Sequence, residues 1–350
     1  MKKLTLILLF LGLAVTYIFA QAPQADPRNL NWTPGTIEPT GSRADPDLFL
    51  QGNFVEIGIA AGGSCGSFAA IPGGYHAFFS RLGFVADYDQ NGWAIGTPPQ
   101  SGDYFVPGYP WEAWLLEFND PAGAEHTFIN SDATGFFGVP QTSLTNTSSG
   151  STNSALWTGT AVAGGQSILV EQNFYFDDND AKFFIEVTLT NVGPAAVTSL
   201  EYARAVDPDQ EVDLGGDFVT ENWVAHQPDG TNNLAKVIGN GPAFEIPMAL
   251  QMTHPNAKAH VCPGSLDITS PDTPLDFTFA PDFDNKYIFD VGVAVAVRFP
   301  VLLPGHSETF TVIYLLNPRE ASGVPLSNWA LALMVGLVVV FTIIRFRRMN

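Results

Sequence analysis

Residues 167–191, "SILVEQNFYFDDNDAKFFIEVTLTN", alternate apolar and polar side chains on either side of a short acidic break. In the second arm Phe183, Ile185, Val187 and Leu189 interleave with Lys182, Glu186, Thr188 and Thr190. A period of two puts the apolar set on one face of a strand. Between the arms, "DDNDA" reads as a five-residue turn, so the segment predicts a hairpin of two long strands. Similar patterns recur at "TSLEYARAV", at "ETFTVIYLLN" and at "KYIFDVGVAVAVRF", where Val291, Val293, Val295 and Val297 alternate strictly. Shorter apolar runs cut by glycine, "FVEIGIAAGG" and "RLGFVADY", predict further strands.

Between the two ends of the chain there is no helical periodicity beyond about two turns and no repeat at solenoid spacing. Strands separated by turn signals bury their apolar faces by packing sheet on sheet. The pattern therefore predicts an all-β ectodomain over residues 51–320, a large antiparallel β-sandwich of supersandwich-like kind. Residues 21–50, rich in Pro, Asp and Gly, read as an irregular N-terminal segment. The Ser/Thr-rich stretch "TSLTNTSSGSTNSA" reads as an interdomain linker or one long surface loop, with a split near 143–155 as the alternative to a single sandwich.

Composition agrees with this reading: 33 Gly, 26 Pro and 14% charged residues do not sustain long helices, and 46% hydrophobic content supplies a sizeable core. Both extremities differ from the middle. The start, "MKKLTLILLFLGLAVTYIFAQAPQ", has two lysines, an apolar run and a small residue at Ala20. That is the arrangement of a secretory signal peptide, residues 1–20. At the other end, Trp329 to Ile344 carry no charge and are followed by Arg345, Arg347 and Arg348. Sixteen helical residues rise about 24 Å, a marginal span of a hydrocarbon core about 30 Å thick. The arginines belong on the cytoplasmic side by the positive-inside rule, which agrees with export of the bulk of the chain.

The order of features in residues 324–350 resembles the sorting tails recognised by bacterial exosortase-type transpeptidases, most closely the IPTL type. Pro325, Leu326, Ser327 and Trp329 match that motif; its Thr has no counterpart and Ala330 stands at its Gly. The resemblance implies a membrane-held intermediate, cut near the proline by an exosortase-type processing enzyme and passed to the cell surface. A permanent single-span anchor is the alternative.

Removing both ends leaves 10 basic residues against the 35 acidic ones, a net of −25. Such a body repels phosphate backbones, which argues against nucleic acid as a partner. In an oxidising compartment Cys65 and Cys262 allow one intramolecular disulfide, with buried free thiols or a reactive Cys65 as alternatives. "VDPDQEVDLGGDF" places Asp207, Asp209, Glu211 and Asp213 at every second position. In an extended chain these carboxylates share one face about 7 Å apart and repel by roughly 0.6 kcal/mol per pair in water. Calcium would reverse that sign, so the four are a candidate calcium site, with a solvated acidic loop as the alternative. The acids of "DDND" are turn formers.

"GDYFVPGYPWEAW" gathers Tyr104, Tyr109, Trp111 and Trp114, which either pack the core or stack against a sugar ring. None of the six histidines has zinc-ligand spacing, and no G-x-S-x-G, P-loop or H-E-x-x-H motif occurs. The reading reached is an exported surface protein with a non-enzymatic adhesion, envelope or matrix-binding role. The alternative is a secreted carbohydrate-binding or carbohydrate-active protein, its partner a surface glycan.

Overall fold

The computed structural model describes residues 36–37, 47–76, 81–87, 90–93, 103–104, 112–131, 136–262 and 286–316. The signal-like residues 1–20 and the tail 324–350 lie outside the described residues. Among the described residues no helix is long and apolar enough to cross a membrane.

In chain order the strands are β1 (Thr36–Ile37), β2 (Leu48–Gln51), β3 (Val55–Ile59), β4 (Phe84–Ala86), β5 (Glu112–Asn119), β6 (Glu125–Ser131) and β7 (Phe136–Phe137). There follow β8 (Gln141–Asn146), β9 (Thr152–Ala163), β10 (Gln166–Asp177), β11 (Lys182–Asn191), β12 (Val197–Val206) and β13 (Thr220–His226). The last are β14 (Leu234–Gly241), β15 (Ile246–Thr253), β16 (Ala257–Cys262), β17 (Tyr287–Phe289), β18 (Gly292–Leu302) and β19 (Ser307–Leu315). A seven-stranded sheet runs β1-β6-β5-β12-β18-β16, with β7 on β6. A nine-stranded sheet runs β17-β13-β14-β15-β19-β11-β10-β9-β8, and β2-β3-β4 form a third, smaller sheet. Pairing is antiparallel except for β1 on β6. The fold is all-β and sandwich-like.

The expected hairpin is present: β10 and β11 pair from Ile168↔Asn191 to Tyr175↔Phe184. Phe183, Ile185, Val187 and Leu189 are fully buried on one face, as the alternation requires. Two expectations need correction. The segment 286–299 is not one strand, although Val293, Val295 and Val297 share β18: β17 pairs with β13 in the nine-stranded sheet, and β18 pairs with β12 and β16 in the seven-stranded one. Asp290 marks the crossing between sheets. In β18 the intervening residues are alanines because both faces are covered; Val293, Ala294, Val295, Ala296 and Val297 are all fully buried.

The Ser/Thr-rich stretch is mostly strand, with only residues 147–151 turning between β8 and β9. Its residues form the ends of β8 and β9, which pair with a register shift near Gln141. Hydroxyl pairs across the strands, Ser143 with Thr158 at 2.8 Å and Thr147 with Ser154 at 2.8 Å, take the place that apolar contacts hold elsewhere. Strands on both sides of residues 143–155 share one sheet.

Trp114, Trp157, Phe174, Phe183 and Tyr314 are among the large side chains of the core. Gly63 sits directly against the Trp157 ring at φ +73, where a side chain would meet both steric overlap and backbone strain.

Candidate functional site

β12 ends at Val206, and the acidic segment after it turns rather than extends, closing into a 3-10 turn at Val212–Leu214. The expected row of four carboxylates is therefore broken. Asp209 donates its backbone N–H to the Tyr104 carbonyl and accepts from Val212 N–H, at 3.0 and 3.1 Å. Gln210 Nε2 donates to the carbonyls of Gly239 (3.1 Å) and Ile246 (2.6 Å). Glu211 points elsewhere, and its carboxylate accepts the backbone N–H of Ala243 and Phe244, both at 2.7 Å, and of Ile246 at 3.3 Å. It thereby fastens the β14–β15 loop, occupying the space that a Cβ at Gly241 would fill. The side chain of Asp213 lies outside the described residues.

The place of Glu211 is taken by Asp290, at the crossing between sheets. Asp207, Asp209 and Asp290 each offer a carboxylate oxygen, and these oxygens lie within 4.8 Å of one another. Asp209 is 1% exposed, Asp207 is half-buried and Asp290 faces solvent. Oδ1 of Asp207 and Oδ1 of Asp209 are buried with no hydrogen-bond partner. Burial, then the neighbouring carboxylates, raises the proton affinity of Asp207 and Asp209; burial, then Asp217, raises that of Asp290.

A second cluster lies on the small sheet. Glu56 on β3 is fully buried, and its carboxylate accepts from Gln51 Nε2 (2.7 Å), His76 N–H (2.8 Å) and His76 Nδ1 (2.7 Å). A carboxylate is an acceptor, so the hydrogen sits on Nδ1, and the lone pair of a neutral ring is on Nε2. The His76 ring is 40% exposed. Trp93 stacks on it, centroids 4.4 Å apart and planes 3° from parallel, and donates Nε1–H to the Asn53 carbonyl at 2.9 Å. The loop that presents Trp93 is organised by Asp87, fully buried at the end of β4. Its carboxylate accepts the N–H groups of Asn91, Gly92 and Trp93 at 3.2, 2.8 and 3.0 Å. Trp93 is thereby held at φ +62, a backbone region that costs a bulky residue about 1–3 kcal/mol. Beside it Phe49 and Tyr75 meet edge to face at 5.9 Å, and burial and the charge of Glu56 push the Tyr75 phenol up to about 12.

The aromatic segment singled out in the sequence is divided. Tyr104 and Trp114 are core: the Tyr104 hydroxyl donates to the Leu316 carbonyl, and Trp114 Nε1 donates to Gly62 at 2.9 Å. Tyr109 and Trp111 lie outside the described residues, as do Pro325, Leu326, Ser327, Trp329, Arg345, Arg347 and Arg348.

The expected Cys65–Cys262 bridge is not formed. Cys65 is a free, buried thiol. Arg204 Nη2 lies 3.8 Å from its sulfur, and the Cys262 side chain is outside the described residues. Burial and the nearby Glu112 push the Cys65 thiol well above its ordinary value, so it is not a poised nucleophile. Arg204 itself is fully buried. It pairs with Glu112 through Nε and Nη2, and donates to Gln172 Oε1 (2.5 Å) and the Gly63 carbonyl (3.1 Å), while Tyr314 donates to Glu112 at 2.7 Å. This cluster is internal and structural.

Glu56, Trp93, Asp87 and Asp290 were not singled out from the sequence. Glu56 and Asp87 had a signal: an acid inside or just after an apolar strand pattern. Asp290 had none, because its partners lie far along the chain.

No protein-family model matches the chain, and no curated protein does. Solved structures with a similar course include an aldose epimerase homologue from C. elegans, 7% identical, TM-score 0.37, covering 77% of this chain and 98% of that one. An alpha-mannosidase from Enterococcus faecalis is 9% identical with TM-score 0.35, covering 83% of this chain and 32% of that one. A galactose mutarotase related enzyme from Lactobacillus acidophilus is 8% identical with TM-score 0.31, covering 78% and 98%. Scores this low carry no argument about chemistry.

Proposed function

We propose that the chain is an exported, surface-directed β-sandwich protein that binds carbohydrate. The observation that carries this reading is the Trp93–His76 stack, held by the buried acids Asp87 and Glu56. An aromatic plane offers contact to the C–H face of a sugar ring, and an outward imidazole nitrogen offers a partner to its hydroxyls. Two buried carboxylates and a strained backbone are spent on presenting these groups at the surface. Rigid aromatics with adjacent polar anchors lose little conformational entropy on binding. Export and membrane retention, read from residues 1–20 and 324–350, would place the site where extracellular glycans are met.

The test is a glycan array with the purified chain, followed by Trp93→Ala and His76→Ala. Retention of at least one glycan class is expected, with each variant still folded by circular dichroism and binding at least tenfold more weakly, about 1.4 kcal/mol. An array without any retained glycan, or a Trp93→Ala chain that binds like the parent, refutes the assignment.

A further inference from the structure

We infer that Asp207, Asp209 and Asp290 form a calcium site that clamps the crossing between the two large sheets. Clustered acids alone do not make a site; the second observation here is the pair of buried carboxylate oxygens, Oδ1 of Asp207 and Oδ1 of Asp209, with no hydrogen-bond partner. Buried polar atoms are almost always satisfied, and leaving one unpaired costs about 1–3 kcal/mol. Asp209 is 1% exposed, too deep for bulk water to satisfy it. Among the described residues no basic side chain pairs with any of the three. A cation held among the three carboxylates offers these orphaned groups a partner and removes the mutual repulsion in one step.

The ligand class follows from the donor set. Three carboxylates are hard oxygen ligands, which favour calcium or magnesium over zinc or copper. Their oxygens lie within 4.8 Å of one another, so small side-chain movements bring all three to the roughly 2.4 Å of a calcium–oxygen bond. Magnesium demands about 2.1 Å and a near-ideal octahedron, a tighter set than this spread requires. Asp290, exposed, provides the route of entry.

The position explains what the ion would do. Asp207 follows the last residue of β12, in the seven-stranded sheet, and Asp290 separates β17 of the nine-stranded sheet from β18 of the seven-stranded one. An ion held by both ties the end of β12 to the point where the chain changes sheets. Glu211, anchored on the β14–β15 loop, is not a ligand. The inference is independent of the carbohydrate reading, since it shares no residue with the Trp93 cluster.

The test is calorimetric titration of the chelator-treated, full-length chain with calcium chloride, alongside melting curves in calcium, in magnesium and in chelator. Binding of one calcium per chain and a melting temperature higher by several degrees are expected, with magnesium weaker by tenfold or more. Asp290→Asn, an exposed change that leaves Asp207 and Asp209 in place, should weaken calcium at least tenfold and, by removing one repelling charge, should not lower the melting temperature in chelator. Glu211→Gln should retain the affinity. No calcium heat and no melting shift in the parent chain overturns the site; so does an Asp290→Asn chain that binds as the parent does, or magnesium binding as tightly as calcium.

Discussion

At the scale of single residues, the interior is organised by polar side chains at positions the alternation reserves for apolar ones. Gln172 takes a core-facing place between Val170 and Phe174, and Arg204 takes one between Tyr202 and Val206. Together with Glu112 and Tyr314 they make a connected hydrogen-bond network. Such a pair contributes little net stability compared with apolar packing, but removing one partner strands the other charge. Arg204→Met is expected to lower unfolding stability by about 3–5 kcal/mol in urea titration, and Arg204→Met with Glu112→Gln to recover part of that loss. The positions were legible, because an Arg or Gln breaks the period within a strand. What they bond to was not, since Glu112 and Arg204 meet through strand pairing that no local pattern specifies.

At the scale of elements, long strands with one covered face were the most legible. β10 and β11 follow their alternation residue by residue, whereas β8 and β9 begin in a stretch whose Ser and Thr residues pair across strands by hydroxyls and give no apolar signal. The crossing at Asp290 was also hidden, since the apolar pattern continues through it. A further element-scale feature is a cross-strand row, Thr127–Glu117–Glu201–Arg298, spanning β6, β5, β12 and β18. Arg298 pairs with Glu201, leaving Glu117 opposite a like charge. Burial first, then the charge of Glu125, pushes Glu117 up to about 8 from 4.5, against the opposing hydrogen bond from Thr127. Between those values the folded protein keeps a proton that the unfolded chain has released. Stability is therefore fully present below about pH 4.5 and declines as pH rises through the window. Glu117→Gln should flatten this decline, by on the order of 4 kcal/mol across the window, in urea midpoints measured from pH 4.5 to 8.

At the scale of the molecule, the charge balance and the apolar ends set the expectations about place. A body at −25 between two hydrophobic extremities suits a chain that crosses a membrane and remains outside. If the tail is processed as its resemblance implies, mass spectrometry of surface-extracted protein should find a C-terminus near Gly323 to Leu326; recovery of an intact "RFRRMN" end would identify a permanent anchor instead. The sites were less legible than the architecture. The acidic run supplied two of the three proposed calcium ligands, and the Trp93 cluster depends on loop geometry around Asp87 that has no sequence period.

β19, the last described strand, lies in the interior of the nine-stranded sheet between β15 and β11, and Tyr104 and Ala181 grip the residue just beyond it. A tether leaving from that end would load the sheet along the axis of an interior strand. Force in that direction shears many ladder bonds together, where an edge strand would peel one bond at a time. The placement makes β19 a strand that resists being drawn out along its own axis.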